Sequence, residues 1–196
     1  MALKLSQFQE GSYGKGGEVL DWSYYSSTIL ANGTTTHNLF TAATGQTFEG
    51  TAQSLDLTNM QAAGVIPQAQ NFTVKNIKVM YATHAAIGTA VVANLYTMFA
   101  QTTVEFILTN KFSMGVWTLQ ELLGAASLVA LTPTAAGDNI PLAQPRFHGI
   151  FPLNVPIRLA ALTSFYIRVI HQTAHNASLN GDWLKLSLNG MLIRGS

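Results

Sequence analysis

The sequence contains no cysteine and few charged residues. Without cysteine, a disulfide framework, a zinc–thiolate site and a cysteine nucleophile are all excluded. Asp, Glu, Lys and Arg make up 10% of the 196 residues, against about 25% in a typical soluble domain. The formal net charge is +1, and Lys and Arg are scattered singly, so the sequence shows no basic stripe of the kind that binds nucleic acid.

Long apolar runs are also missing. The most apolar stretch, 85–100, is interrupted by Gly88, Thr89 and Asn94, and it falls short of the ~20 apolar residues that a membrane span needs. The opening residues MALKLSQFQEGSYGKGG contain no apolar segment after the early lysine, so we expect no signal peptide.

Neutral polar residues take the place of the missing charges. Hydrophobic residues make up 48% of the chain, which is enough for a sizeable core. Protein interfaces are depleted of Lys, Glu and Asp, because burying an unpaired charge is unfavourable. The low charge therefore predicts a surface that contacts other copies of the chain. A secreted monomer with a neutral polar surface is the alternative.

The chain divides into two regions by composition. Residues 1–54 are rich in Gly, Ser, Thr and Asn, which predicts an extended N-terminal arm with short strand-like pieces at 27–30 and 37–41. Residues 55–196 predict one domain, with strands at 72–81, 102–108, 164–171 and 183–193. In the first of these strands the apolar positions change parity near Asn76, which indicates a β-bulge or a strand buried on both faces.

Short helices and irregular connections separate these strands. We predict helices at 85–99 and at 118–128, the second with a capping box formed by Thr118 and Glu121. Loops are predicted at 132–144 and 173–182, and a proline-bounded turn at 152–156. Many short strands with few helices predict an all-β sandwich, and long loops with helical insertions favour a jelly roll.

No combination of residues indicates catalysis, metal binding or a cofactor. His171 and His175 have metal-ligand spacing but fall at a strand end and in a loop, so we assign no metal site. The segment 14–17, GKGG, lacks the spacing of a phosphate-binding loop. The nine carboxylates include no close pair and no Gly-x-Ser-x-Gly elbow occurs, so we predict that the chain is not an enzyme.

Five aromatic residues of a type often exposed leave two interpretations open. They are compatible with a sugar-binding site, as in lectin-like sandwiches, or with contacts between subunits. The low charge favours contacts. The residues are Trp22, Tyr24, Tyr25, Trp117 and Trp183.

Several segments carry a resemblance to a known family. The segment 57–79 (LTNMQAAGVIPQAQNFTVKNIKV) resembles the opening strand of structural proteins of tailless bacterial viruses, in which a Gly-x-x-Pro turn precedes a Phe-x-Val strand. The segment 105–113 (EFILTNKFS) is similar to the strand and turn that follow. The segments 157–170, with SFYIRV, and 186–194 (LSLNGMLIR) are similar to late strands of such coats.

The resemblance implies a jelly-roll coat subunit that assembles into capsomers and an icosahedral shell. Its partners would be copies of itself and other virion proteins, with an internal membrane or the packaged genome as further possibilities, and no small-molecule substrate. It implies a location in the virion, after assembly in the host cytoplasm. A minor vertex, spike-base or decoration protein, and a carbohydrate-binding sandwich, are the alternatives.

Overall fold

Alternation of buried and exposed side chains marks the strands of this chain. A computed structural model describes residues 18–31, 33–82, 98–108, 113–123, 128–130, 141–143, 150–172 and 181–195. Every second side chain is buried in two of the strands, as expected where one face of a sheet lies on a core. The elements are β1 (Glu18–Ile29), β2 (Thr36–Leu39), β3 (Thr47–Phe48), β4 (Thr51–Ala52), β5 (Gln70–Ala82), β6 (Thr102–Leu108), β7 (Ser113–Thr118), α1 (Leu119–Leu122), β8 (Leu128–Ala130), β9 (Pro141–Ala143), β10 (Ile150–Leu159), β11 (Phe165–His171) and β12 (Trp183–Arg194).

Eight of these strands form two four-stranded antiparallel sheets. The first sheet has the order β1-β12-β5-β10 and the second has the order β2-β11-β6-β7. Along the chain, the first of the eight strands pairs with the last, the second with the seventh, the third with the sixth and the fourth with the fifth. The chain is therefore all-β, as the sequence predicted, and its strand pairs are nested.

The inward faces of the two sheets share a hydrophobic core. Phe72 and Leu186 enter it from the first sheet, and Phe106 and Phe165 from the second. The rings of Phe106 and Phe165 are stacked with centroids 5.8 Å apart. Burying large aromatic and branched side chains is the main source of stability for such a fold.

A β-bulge in β5 confirms the change of parity expected near Asn76. Asn189 of β12 faces Asn76, whereas the next residue, Gly190, faces Val74, so Lys75 is the extra residue. Gly190 allows the two backbones to approach closely here. A Cβ atom at this position would lie 1.9 Å from the carbonyl oxygen of Thr73.

The predicted N-terminal arm is corrected by the structure for the residues it describes. β1 pairs along its full length with β12, and β2 pairs with β11. Leu30, Leu39 and Phe40 are completely buried in the core. The described part of 1–54 therefore belongs to the two sheets, and the boundary at residue 54 does not separate two structural units. Residues 1–17 lie outside the described residues.

The predictions for the connecting segments had mixed outcomes. The capping box of Thr118 and Glu121 is confirmed, but the helix is shorter than predicted because Leu123 already caps it. The predicted turn at 152–156 is instead an irregularity within β10, where pairing shifts register between Pro152 and Ile157. Proline is tolerated there because β10 is an edge strand. Residues 98–101 are helical, and the rest of the helix predicted at 85–99 lies outside the described residues.

Candidate assembly surfaces

The outer face of the second sheet is nearly free of charge. Strands β2, β6, β7 and β11 contain one carboxylate, Glu105, and one residue of the Lys/Arg type, Arg168. The two are cross-strand neighbours, and Arg168 Nε donates to Glu105 Oε2 at 3.0 Å. This hydrogen bond holds the pKa of the Glu105 carboxyl below its usual range. The charges on this face therefore largely neutralise each other.

Uncharged residues surround this ion pair. Val116 lies opposite Glu105 on one side, and Asn38 lies opposite Arg168 on the other. The row of cross-strand neighbours on one side of the pair consists of Thr118, Thr103, Ile170 and Thr36. The row on the other side consists of Ser113, Ile107 and Tyr166.

The edge strand β7 exposes apolar side chains. Val116 is 58% exposed and Met114 is 45% exposed. Met114 is the additional residue of a bulge, because Gly115 faces Phe106 while Ser113 faces Ile107. Bulges and charged residues normally protect an edge from other chains. β7 has the bulge but no charged residue, which leaves an apolar edge available for contact.

β1, an edge strand of the first sheet, is covered around residues 23–26. Thr58 forms a β-bridge with Ser26, and the side chain of Asn59 accepts from Tyr25 N at 2.9 Å. Asn59 Nδ2 also donates to the carbonyl of Ser23 at 2.7 Å. Closer to Glu18, no described residue pairs with the outer edge of β1.

The five aromatic residues considered for sugar binding do not form one surface, although the rings of Trp22 and Tyr24 pack edge-on with centroids 6.3 Å apart. Tyr24 is buried and packs edge-on against Phe72. Tyr25 lies beneath Lys185 Nζ, 3.9 Å from the ring centroid, and Trp117 packs against Phe151. Trp183 is half-buried. Trp22 is 37% exposed and lines an open recess with Asp21, Ser23 and Asn59.

A buried polar cluster links the two sheets. Glu49 Oε2 lies 3.0 Å from His37 Nδ1 and accepts from Thr28 Oγ1 at 2.7 Å. The rings of His37 and His171 are 5.6 Å apart, and Thr102 Oγ1 lies 2.7 Å from His171 Nδ1. These side chains come from β1, β2, β6 and β11 and from the turn between β3 and β4.

This cluster does not have the geometry of a nucleophile, base and acid. In such a relay the nucleophile and the acid contact opposite nitrogens of the histidine ring. Here Thr28 Oγ1, at 3.3 Å, and Glu49 both approach Nδ1 of His37. In the part of the chain that the structure describes, no group of three or more His, Cys, Asp or Glu residues is arranged to hold a metal ion. His171 is buried at the end of β11, and its predicted neighbour His175 lies outside the described residues.

Comparison with protein-family models, with curated proteins and with solved structures found no match to this chain. Among the described residues, no helix has the length and apolar character required to cross a bilayer. The functional interpretation therefore depends on the strand order and on the chemistry of the surfaces.

Proposed function

We propose that this chain is a non-enzymatic coat subunit of a tailless bacterial virus, built as a jelly-roll sandwich. Its partners are copies of itself and other virion proteins, and its location is the virion, after assembly in the host cytoplasm. The nested pairing of eight strands carries the proposal.

The strand order supports the jelly-roll assignment. A jelly roll has eight strands in two sheets and is common among viral capsid and lectin domains. It arises when a long antiparallel hairpin is rolled up, so that strands pair first with last and inward from there. The pairs β1–β12, β2–β11, β5–β10 and β6–β7 follow this order. Because fold alone does not determine function, the surfaces must distinguish a coat from other jelly rolls.

The surface chemistry supports a subunit that associates with others. A monomer of this size normally has about 25–35% charged residues on its surface, and the whole chain has 10%. The neutral outer face of the second sheet and the apolar edge β7 provide area that two chains can bury without desolvating unpaired charges. Symmetric assemblies use such surfaces repeatedly.

The mass of the full-length protein in solution tests this proposal. Light scattering over a range of protein and salt concentrations, followed by electron microscopy, is expected to give capsomers and closed particles. Particle size would distinguish a main coat protein from a vertex or decoration protein. A 21.1 kDa monomer at every concentration would contradict the proposal.

The recess beside Trp22 favours carbohydrate binding as a second candidate. The partly exposed indole provides a stacking surface, and the exposed carboxylate of Asp21 beside it is a hydrogen-bond acceptor. A glycan array with the wild-type protein and with Trp22→Ala tests it. Specific binding that is lost in the variant, together with a monomeric state, would favour this function over the coat.

A further inference from the structure

Half of the basic residues of the chain lie on three adjacent strands. β5, β10 and β12 contain five of its ten Lys and Arg residues and no Asp or Glu. Four of them belong to the outer face of the first sheet, and we call this set the basic face: Lys75, Lys78, Arg158 and Lys185. The fifth, Arg194, is at the sheet end with its guanidinium 5.8 Å from the Trp22 ring centroid.

The register of the strands places these cations close together. Lys78 faces Ser187, two residues from Lys185, so the two lysines are diagonal neighbours, about 7–8 Å apart at Cα. Arg158 faces Thr73, and Lys75 is the bulged residue between Thr73 and Lys78. On β12 these rows run from Met191 to Ser187, so at about 3.3 Å per residue they span about 13 Å.

The bulge and the neighbouring segment orient these side chains. Lys75 and Arg158 are exposed. Lys185 is fixed, because its Nζ donates to the carbonyl of Asp56 at 3.0 Å and lies over the Tyr25 ring. Asp21 is on β1, and the carboxylate of Asp56 is close enough to Lys185 to interact with its charge, so the unbalanced positive charge lies on β5 and β10.

Neutral hydrogen-bonding groups accompany the cations. Asn189 Nδ2 donates to Asn76 Oδ1 at 2.7 Å, and Asn189 Oδ1 accepts from Ser23 Oγ at 2.7 Å. This ladder crosses the sheet from β1 to β5 beside Lys75 and Lys78. Amide and hydroxyl groups next to lysine and arginine are typical of surfaces that contact phosphate oxygens.

We propose that the basic face binds the phosphodiester backbone of a double-stranded nucleic acid. Single strands are held largely by stacking of bases on exposed aromatic rings. In β5, β10 and β12, all of whose residues the structure describes, every aromatic ring is buried or half-buried. A duplex, which presents phosphates and keeps its bases inside, suits three strands that offer cations and amides and no exposed aromatic ring.

An anionic membrane is the competing partner for the same charges. Peripheral membrane binding combines basic residues with apolar side chains that enter the lipid interface. The three strands of this face contain two exposed large apolar side chains, Met80 of β5, which is 51% exposed, and Val155 in the irregular part of β10, which is 79% exposed. The polar ladder of Ser23, Asn189 and Asn76 does not supply such anchoring, so the face favours a duplex over a bilayer.

Duplex binding by the basic face does not require a shell to form. The further statement that this face points towards a packaged genome rests on the proposed function. The test measures binding of a fluorescent 30-base-pair DNA duplex to the full-length protein between 20 and 150 mM salt. Phosphate contacts by Lys75, Lys78 and Arg158 predict a slope of log K against log salt of about −2.7. We expect Lys75→Gln, Lys78→Gln and Arg158→Gln each to reduce this slope by about 0.9.

Arg168→Gln is the matched control, because it removes one positive charge from the opposite sheet. It should leave the slope for duplex DNA unchanged, and thermal unfolding of each variant verifies folding. Absence of duplex binding at 20 mM salt would overturn the inference. Equal loss in the control, or binding only to phosphatidylserine vesicles, would also overturn it.

The mass of the protein in the same samples separates this inference from the proposed function. A monomer whose duplex binding depends on the basic face would support the inference and contradict the coat. Capsomers that bind duplex DNA equally well with and without Lys75, Lys78 and Arg158 would support the coat and contradict the inference.

Discussion

Glu49 reaches the buried ring of His37 from a turn in which its own backbone is strained. The carboxylate Oε2 lies 3.0 Å from His37 Nδ1, and Glu49 has φ of +48°. It forms a two-residue hairpin turn with Gly50, whose φ is +79°, between β3 and β4. Such turns favour Asn-Gly, because both central residues have positive φ. A glutamate here indicates that the side-chain contact outweighs the unfavourable backbone conformation.

Replacing Glu49 tests that balance. Glu49→Asn relaxes the turn but is too short to reach His37 and Thr28, so we expect it to lower the free energy of unfolding by about 1–3 kcal/mol. Glu49→Gln, which retains the side-chain length and an acceptor oxygen, should have a smaller effect. Urea denaturation measures both. Stability equal to or above wild type in Glu49→Asn would show that the contact contributes nothing.

The bulge opposite Gly190 gives a second prediction. Gly190→Ala would place a methyl group 1.9 Å from the backbone oxygen of Thr73, so the strands must separate. We expect a loss of at least about 1–3 kcal/mol of stability. Gly195→Ala is the control, because its Cβ would lie 3.6 Å from the nearest atom, in ordinary contact. Thermal unfolding compares them, and similar melting temperatures would disprove the close approach.

The Glu105–Arg168 pair predicts a pH-dependent contribution to stability. Because Arg168 lowers the pKa of Glu105 in the folded state, the stabilisation is complete above the ordinary glutamate pKa of about 4.3. It is lost as pH falls through the lowered value.

Arg168→Gln should therefore reduce stability at pH 7 by about 0.2–1 kcal/mol, since the pair is partly exposed, and the difference should shrink at pH 3. Urea midpoints at both pH values provide the measurement. Arg158→Gln, whose cross-strand neighbour is Thr73, should show no such pH dependence. An effect of Arg168→Gln that is constant with pH would refute the explanation.

The exposed edge at Val116 predicts a separation of folding from assembly. Val116→Lys puts a charge on the apolar edge opposite Glu105, where it can pair without disturbing the core. The melting temperature should remain close to that of wild type, while the protein concentration needed for particles rises several-fold.

Leu55→Lys adds the same charge at a site that is 67% exposed and outside both sheets. Light scattering of the three proteins side by side gives the comparison. If Val116→Lys assembles at the wild-type concentration, β7 is not a contact edge.

Strands with a clean alternation could be predicted from the sequence almost to the residue. The prediction at 102–108 coincides with β6, and those at 164–171 and 183–193 differ from β11 and β12 by one residue each. These strands have Val, Ile, Leu or Phe on the buried face, so a period of 2 is visible.

β1 was missed because its inward face is polar. Its buried residues are Tyr24, Ser26, Ser27 and Thr28, and a run of Ser and Thr resembles the sequence of a loop. Their partners come from distant segments: Ser26 Oγ accepts from Phe40 N at 2.9 Å, and Thr28 donates to Glu49. Nothing local in the sequence identifies these partners, so the strand was interpreted as part of an arm.

The basic face could not be predicted for a related reason. Lys78 and Lys185 are 107 positions apart in the sequence, and only the pairing of β5 with β12 makes them diagonal neighbours. A scan for runs of Lys and Arg therefore finds nothing. The low total charge, by contrast, does not depend on the fold, so the sequence alone was enough to predict a surface that contacts other chains.

The position of β12 between β1 and β5 also determines when folding can finish. During synthesis, two strands made early, β1 and β5, have no partner between them until residues 183–194 have left the ribosome. Pairing across so long a stretch of chain is slow. A nascent or truncated chain therefore lacks a completed first sheet and leaves unpaired backbone exposed, where chaperones and proteases recognise it. The topology thus makes completion of the first sheet depend on β12, which follows in the chain both strands that it joins.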